Sequence, residues 1–335
     1  MAKHLSFLAF VLILFSSCES GSTYKMASSG LSGELIVIME DNYWNGALGD
    51  TARWYLEDVQ PGLPQQEYLF NIGQYDHDGF SKIVKGHRNI ILFEVGLKYD
   101  SSKTEYLKDI WASDQIVVKI TAETPELAAA EFSKESSRII SLFNTTERDR
   151  MIARHKSDNS TSISDQLLKK HNLSLVLPGD CRLAEDHGDF IWITRDRIKY
   201  VNGEAHDVDE GIFIYSYPYT DDSTFTLSYL IAKRDSMCKA YVPGPSDGSY
   251  MGTETDSTYY PKLFASSLNG KYAAEIRGLY KTVNDYYGGP FISLSTFDEK
   301  RNRIVTVDCF VFAPKFHKRE YLREMEAVCY SLSFP

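Results

Sequence analysis

Cysteine is scarce in this chain: 335 residues contain five, and no two of them lie within five positions of each other. Common zinc modules bring their ligands in close pairs, so that class is excluded. Basic surplus is missing too. The formal net charge is −10, which removes the phosphate-neutralising term that nucleic-acid binding needs and disfavours lying on an anionic leaflet. The longest apolar stretch, residues 5–15, falls short of the roughly 20 residues that a bilayer crossing requires. There is no phosphate-loop lysine motif, no dinucleotide fingerprint and no zinc-helix motif, so no cofactor is expected.

What is present is an ordinary globular composition, 43% hydrophobic and 24% charged. At about 150 residues per domain, the length accommodates two. The expected first domain spans residues 34–145. Residues 34–40, 89–95 and 115–121 are apolar, β-branched runs of strand length, the first fitting a strand buried on both faces. A weaker strand is expected at 68–72 and short helices at 51–56 and 80–84. Thr124 is a good N-cap and Pro125 occupies the favoured first helical position, so a long amphipathic helix should follow, with Phe132, Ile139 and Phe143 on its apolar face. Residues 146–171 are polar and read as a helical or partly disordered connector.

The second domain is expected over 172–335. Residues 190–194 and 212–217 read as strands joined by a polar loop, 225–241 as an amphipathic helix, and 272–283, 291–297 and 304–312 as an antiparallel meander. A last helix covers about 317–331. The fold class expected is α+β in two domains, each a mostly antiparallel sheet with helices on one side. Residues 120–143 and 311–334 align without a gap, a weak echo that chance explains better than duplication.

Five groups of residues are candidates for chemistry. Residues 244–248 carry the letters of a serine-hydrolase elbow, but a helix precedes them where the motif needs a strand, so turn chemistry explains them better. Asp186, His187 and Asp189 form one acidic and histidine cluster, and His206, Asp207, Asp209 and Glu210 another. A strand's length of roughly 15–20 Å separates the two, so a shared metal is not expected. Asp207, Asp209 and Glu210 remain weak candidates for a calcium ion. Tyr215, Tyr217 and Tyr219 alternate, so they share one strand face, suited either to stacking on a sugar or protein partner or to a second core layer. Together with Tyr250 in the 244–252 loop they are the expected binding residues. Finally, period two in 304–312 and helical spacing in the last helix point Cys309 and Cys329 into one core, where they either bridge or simply pack.

The N-terminus carries its own signal. Lys3 and the apolar run form a secretory leader. Phe15-Ser16-Ser17-Cys18 resembles the lipobox of bacterial lipoproteins, which implies a signal peptide over 1–17, lipidation of Cys18 and a flexible tether over 18–33. The segments 33–39, 62–65, 211–219, 244–251, 289–291 and 312–321 resemble a domain-of-unknown-function family of Bacteroidota lipoproteins. That resemblance implies a lipid-anchored protein of a Gram-negative envelope, and it supplies no catalytic residues. A lone acidic residue after the cysteine, Glu19, points to the outer membrane's periplasmic side. The expected function is non-enzymatic binding or assembly with another envelope protein or a glycan. The alternative is an envelope hydrolase or glycan-active enzyme using the acidic and histidine residues.

Overall fold

The structure, a computed structural model, describes residues 25–158 and 160–335. The expected leader, Cys18 and the start of the expected tether lie outside the described residues. Of that tether, Ala27 bridges Ser113 and Ser29 bridges His87, so the chain lies against the first domain before the first strand begins.

The first domain runs β1 (Glu34–Ile38), α1 (Asp41–Trp44), α2 (Ala47–Leu56), β2 (Asn71–Tyr75), α3 (Lys82–Lys85), β3 (Asn89–Val95), β4 (Lys103–Lys108) and β5 (Ile116–Ala122), and then α4 (Pro125–Ser157). Its five strands are ordered β2-β1-β3-β5-β4. All adjacent pairs are parallel except β4 with β5. The sheet is therefore mixed, which corrects the mostly antiparallel expectation for this half. The reason is visible in β1: Leu35 and Val37 pack under α2 and α4, while Ile36 and Ile38 join the opposite cluster with Phe80 and Val84. Strands covered on both faces with helical crossovers pair in parallel.

Helix α4 starts where expected, with Thr124 Oγ1 accepting the Leu127 N–H and Pro125 in the first turn. It continues through the segment read as a connector. Some of the polar residues there leave solvent: Glu147 is buried and meets both Arg88 and Arg150. Paired burial of this kind lets a charged sequence remain helical inside an interface. Next come α5 (Thr161–Gln166) and a wide turn over Leu167–His171.

The second domain adds β6 (Arg182–Asp186), β7 (Phe190–Val201), β8 (Glu204–Pro218), α6 (Leu227–Tyr241), β9 (Tyr250–Thr253), β10 (Lys262–Leu268), β11 (Lys271–Val283), β12 (Gly288–Asp298), β13 (Arg303–Phe312) and α7 (Arg319–Tyr330). Its eight-stranded sheet is ordered β10-β11-β12-β13-β8-β7-β6, with β9 on β11, and every pairing is antiparallel. The two sheets thus differ in topology, so the echo between 120–143 and 311–334 is not a duplicated module.

Helices lie on both faces of this second sheet rather than one. Helix α7 and residues 163–177 cover one face, against Ile212, Ile214, Val305, Val307 and Cys309. Helix α6 covers the other, against Phe190, Phe213, Tyr215 and Tyr217. Both sides of the alternation are apolar, and each needs a cover. Among the described residues no helix is long and apolar enough to cross a membrane.

Candidate functional site

The polar stretch expected to be a loop between two short strands is itself strand. β7 and β8 form one long hairpin paired from Phe190↔Tyr215 to Val201↔Glu204. Its turn is Asn202-Gly203, both at positive φ, the two-residue combination that hairpins of this twist prefer. That dipeptide is the signal by which the sequence discloses the hairpin.

Strand alternation then decides where the acidic residues point. Asp207 and Asp209 share the α6 face of β8, and Glu210 turns to the α7 face, where Arg195 and Arg197 reach it at 3.4 and 2.6 Å. The three do not form a ligand set, and no metal-binding group occurs among the described residues. The earlier cluster also disperses. Asp186 Oδ2 accepts from Gln166, Lys170 and His171 at 3.2, 2.7 and 3.0 Å, tying the α5 segment to the sheet. His187 pairs with Glu185 and stacks on Tyr241.

The tyrosines share one face, and that face is core. Tyr215 is 3% and Tyr217 6% exposed under α6, which removes them as an open binding surface. Their alternation cannot reveal that a later helix covers them. Tyr219, at the strand end, is half-buried against Phe297, with ring centroids 4.5 Å apart. Lys239 lies over the half-buried Tyr250 ring, 5.3 Å from its centroid.

Beyond the C-terminal end of α6 the same sheet face opens into a cleft of about 380 Å³. Trp192 and Asp196 reach it from β7, Asp209 from β8, Phe310 and Phe312 from β13, and Tyr280 from β11, with Tyr287 at the rim. Residues Val242, Pro243, Gly244 and Pro245 form its wall.

Gly211 makes this arrangement possible. It stands opposite Thr194 on one side and Phe310 on the other, and a Cβ there would come within 2.0 Å of Phe310 Cε1. The Phe310 ring therefore lies over bare backbone, flanked by Phe213 at 5.4 Å and Tyr280 at 5.2 Å. Trp192 meets Phe213 edge-on at 5.5 Å.

Two features hold the wall in place. Arg234 of α6, 1% exposed, donates to Asp308 Oδ2 at 2.9 Å and to Thr253 Oγ1 at 3.0 Å, pinning the helix and β9 to the sheet. In the loop, Ser246 donates to Asp285 at 2.5 Å and the Gly244 N–H reaches Ser249 O. Ser246 thus sits between a helix and a short strand, in turn geometry and, among the described residues, without a histidine partner, so the elbow motif is not assembled.

Asp196 and Asp209 stand directly opposite each other across β7 and β8. Asp196 is engaged by Arg182. Among the described residues no hydrogen bond or ion pair is made by the Asp209 carboxyl. Burial, then the nearby Asp196 and Asp207 charges, push its pKa above the usual carboxylate range. A half-buried acid amid aromatic rings can accept or donate a hydrogen bond to a hydroxyl-rich ligand that stacks on those rings. Of these residues, the sequence reading singled out Asp209 and the 244–252 loop. It missed Trp192, Asp196, Tyr280, Tyr287, Phe310 and Phe312, which only sheet register brings together.

Comparison with known proteins gives two family matches. Residues 160–331 match a model described as a domain of unknown function (DUF4837), and residues 28–156 match a second such domain (DUF8532). No curated protein matches. Among solved structures, the crystal structure of LpqN, involved in cell envelope biogenesis of Mycobacterium tuberculosis, aligns at 12% identity and a TM-score of 0.30, over 49% of this chain and 83% of that one. A protein from Bacteroides thetaiotaomicron VPI-5482 aligns at 11% identity and a TM-score of 0.20, over 49% of this chain and 45% of its own. Similarities this low carry no argument about fold or function.

Proposed function

Given that the chain belongs to the DUF4837 family, a domain of unknown function, we propose that it is a cell-envelope protein, lipid-anchored at Cys18, that binds a saccharide in the cleft beyond α6 without cleaving it. Its address rests on the leader and on the resemblance of Phe15-Ser16-Ser17-Cys18 to a lipobox. The observation that carries the ligand class is the unpartnered Asp209 carboxyl set among Trp192, Tyr280, Phe310 and Phe312. Aromatic faces supply apolar area for sugar rings, and the carboxyl supplies the directional contact to a hydroxyl.

The experiment is titration calorimetry against envelope oligosaccharides, comparing the wild type with Trp192→Ala and Phe312→Ala. Saturable binding that falls at least tenfold in both variants supports the reading. Binding that both variants retain in full moves the ligand away from this cleft.

A glycan-active enzyme is the second reading, favoured by the facing pair Asp196 and Asp209. Opposed residues in antiparallel strands have Cβ atoms about 4.5–5.5 Å apart, and retaining glycosidases hold their two carboxyl groups about 5–5.5 Å apart. In this reading Asp209, with its raised pKa, is the general acid. Release of new reducing ends, abolished in Asp209→Asn while binding persists, would replace the binding role by this one.

A further inference from the structure

Three of the four described cysteines, Cys181, Cys309 and Cys329, share the core between the second sheet and α7. Cys238 lies in the core on the opposite face. Two of the three are in contact: Cys309 Sγ on β13 and Cys329 Sγ on α7 are 3.5 Å apart, both fully buried. The two sulfurs point at each other because β13 alternation sends Cys309 to the α7 side and helical spacing turns Leu322, Met325 and Cys329 back onto it. A covalent bridge would bring the two sulfurs to about 2.05 Å.

We propose that Cys309 and Cys329 are the redox-modified pair of this protein, joined as a disulfide when the chain folds in an oxidising compartment, with Cys181 and Cys238 left as thiols. The two thiols lose two protons and two electrons to the disulfide of a thiol oxidase, which leaves as a dithiol. Timing follows from burial. Exchange needs a thiolate that a partner can reach, and burial together with the adjacent Cys329 sulfur pushes the Cys309 pKa well above its ordinary value. The bond therefore forms before the core closes, aided by a separation of only 20 residues along the chain. Once folded, the pair is locked in whichever state it entered. The staple fastens α7 to β13, and α7 is the helix on which the first domain is seated.

The test counts thiols in denaturant on full-length protein prepared two ways, exported to an oxidising compartment or folded in reductant. Counted over the four cysteines other than Cys18, whose thiol the proposed lipidation consumes on export, two fewer thiols are expected in the exported protein, with mass-spectrometric mapping placing Cys309 and Cys329 in one cross-linked peptide. Equal counts, or a cross-link through Cys181 or Cys238, would overturn the assignment. Incubating the folded, reduced protein with oxidised glutathione tests the timing. The Cys309 and Cys329 thiols should survive until denaturant is added, and their rapid loss in the native state overturns the locked-pair account. These measurements use wild-type protein, so a Cys329→Ser variant that fails to fold does not affect them.

Discussion

The Glu67 carboxylate of the first domain caps α7 of the second: Oε1 accepts the Lys318 N–H at 2.7 Å, and Oε2 accepts the Arg319 N–H at 3.0 Å. Unpaired N–H groups at a helix start, with the dipole behind them, favour a negative partner. Here that partner comes from some 250 residues away, and neighbouring contacts reinforce it. Arg319 Nη1 donates to Tyr68 O and Arg323 Nη2 to Leu69 O, each at 2.6 Å. The two domains are thus joined by a carboxylate and backbone carbonyls of one and the first turns of a helix of the other.

Replacing Glu67 with Ala should loosen this joint. Two buried, charge-assisted hydrogen bonds are lost, a cost of about 2 kcal/mol. Urea unfolding should show a lower midpoint and, with docking weakened, separate transitions for the two domains. A single transition at the wild-type midpoint would show that the cap contributes nothing to docking.

Gly211→Val should push the Phe310 ring off the sheet, since even a Cβ would overlap it. Overpacking of this kind destabilises by about 1–3 kcal/mol. Saccharide binding should fall at least tenfold, while far-ultraviolet circular dichroism stays near wild type. Retained binding would show that the ring's position does not shape the cleft.

Asp209 offers a pH test with a definite sign. Its pKa is raised in the folded protein by burial, Asp196 and Asp207, so the folded state holds the proton more tightly than the unfolded state. Stability therefore falls as pH rises from the ordinary aspartate value, about 3.9, through the folded value. Asp209→Asn removes that penalty. The variant should be the more stable of the two at neutral pH, with the advantage fading below about pH 4. Urea midpoints at several pH values check this, and an advantage independent of pH would remove the titration from the explanation.

Asp186 should behave in the opposite sense. Burial alone would raise its pKa, but donation from Lys170, His171 and the Gly188 N–H outweighs it and holds the carboxyl well below the usual range. Its contribution is complete above the unfolded value of about 3.9 and is lost as pH falls through the lower folded value. Asp186→Asn should therefore lower the urea midpoint at pH 7, with the gap to wild type closing on acidification. The turn over Leu167–His171 should also exchange its amide hydrogens faster, because its tie to β6 is gone.

Several parts of this molecule were legible in the chain. The runs at β1, β3 and β5 announced strands because apolar, β-branched residues need burial over their whole length. Thr124 and Pro125 marked the start of α4 because capping and a fixed φ act within one turn. Alternation placed Tyr215, Tyr217 and Tyr219 on one face, and the two periodicities turned Cys309 toward Cys329. Each of these depends on a few residues interacting with near neighbours, so a window of ten residues contains the cause.

Other parts were decided only by tertiary structure. Which strand lies beside which made the first sheet mixed. Register set Asp196 against Asp209 and Phe310 over Gly211, and a helix arriving later turned a face of tyrosines into core. The polar run after α4's midpoint stayed helical because Arg88, from a distant part of the chain, meets Glu147 in the interior. Glu67 reads as one more acidic residue until Lys318 and Arg319 are brought to it. The physical reason is common to all of these. Local periodicity fixes the direction a side chain faces, whereas its partner there depends on contacts between segments far apart in sequence, which only the folded chain assembles.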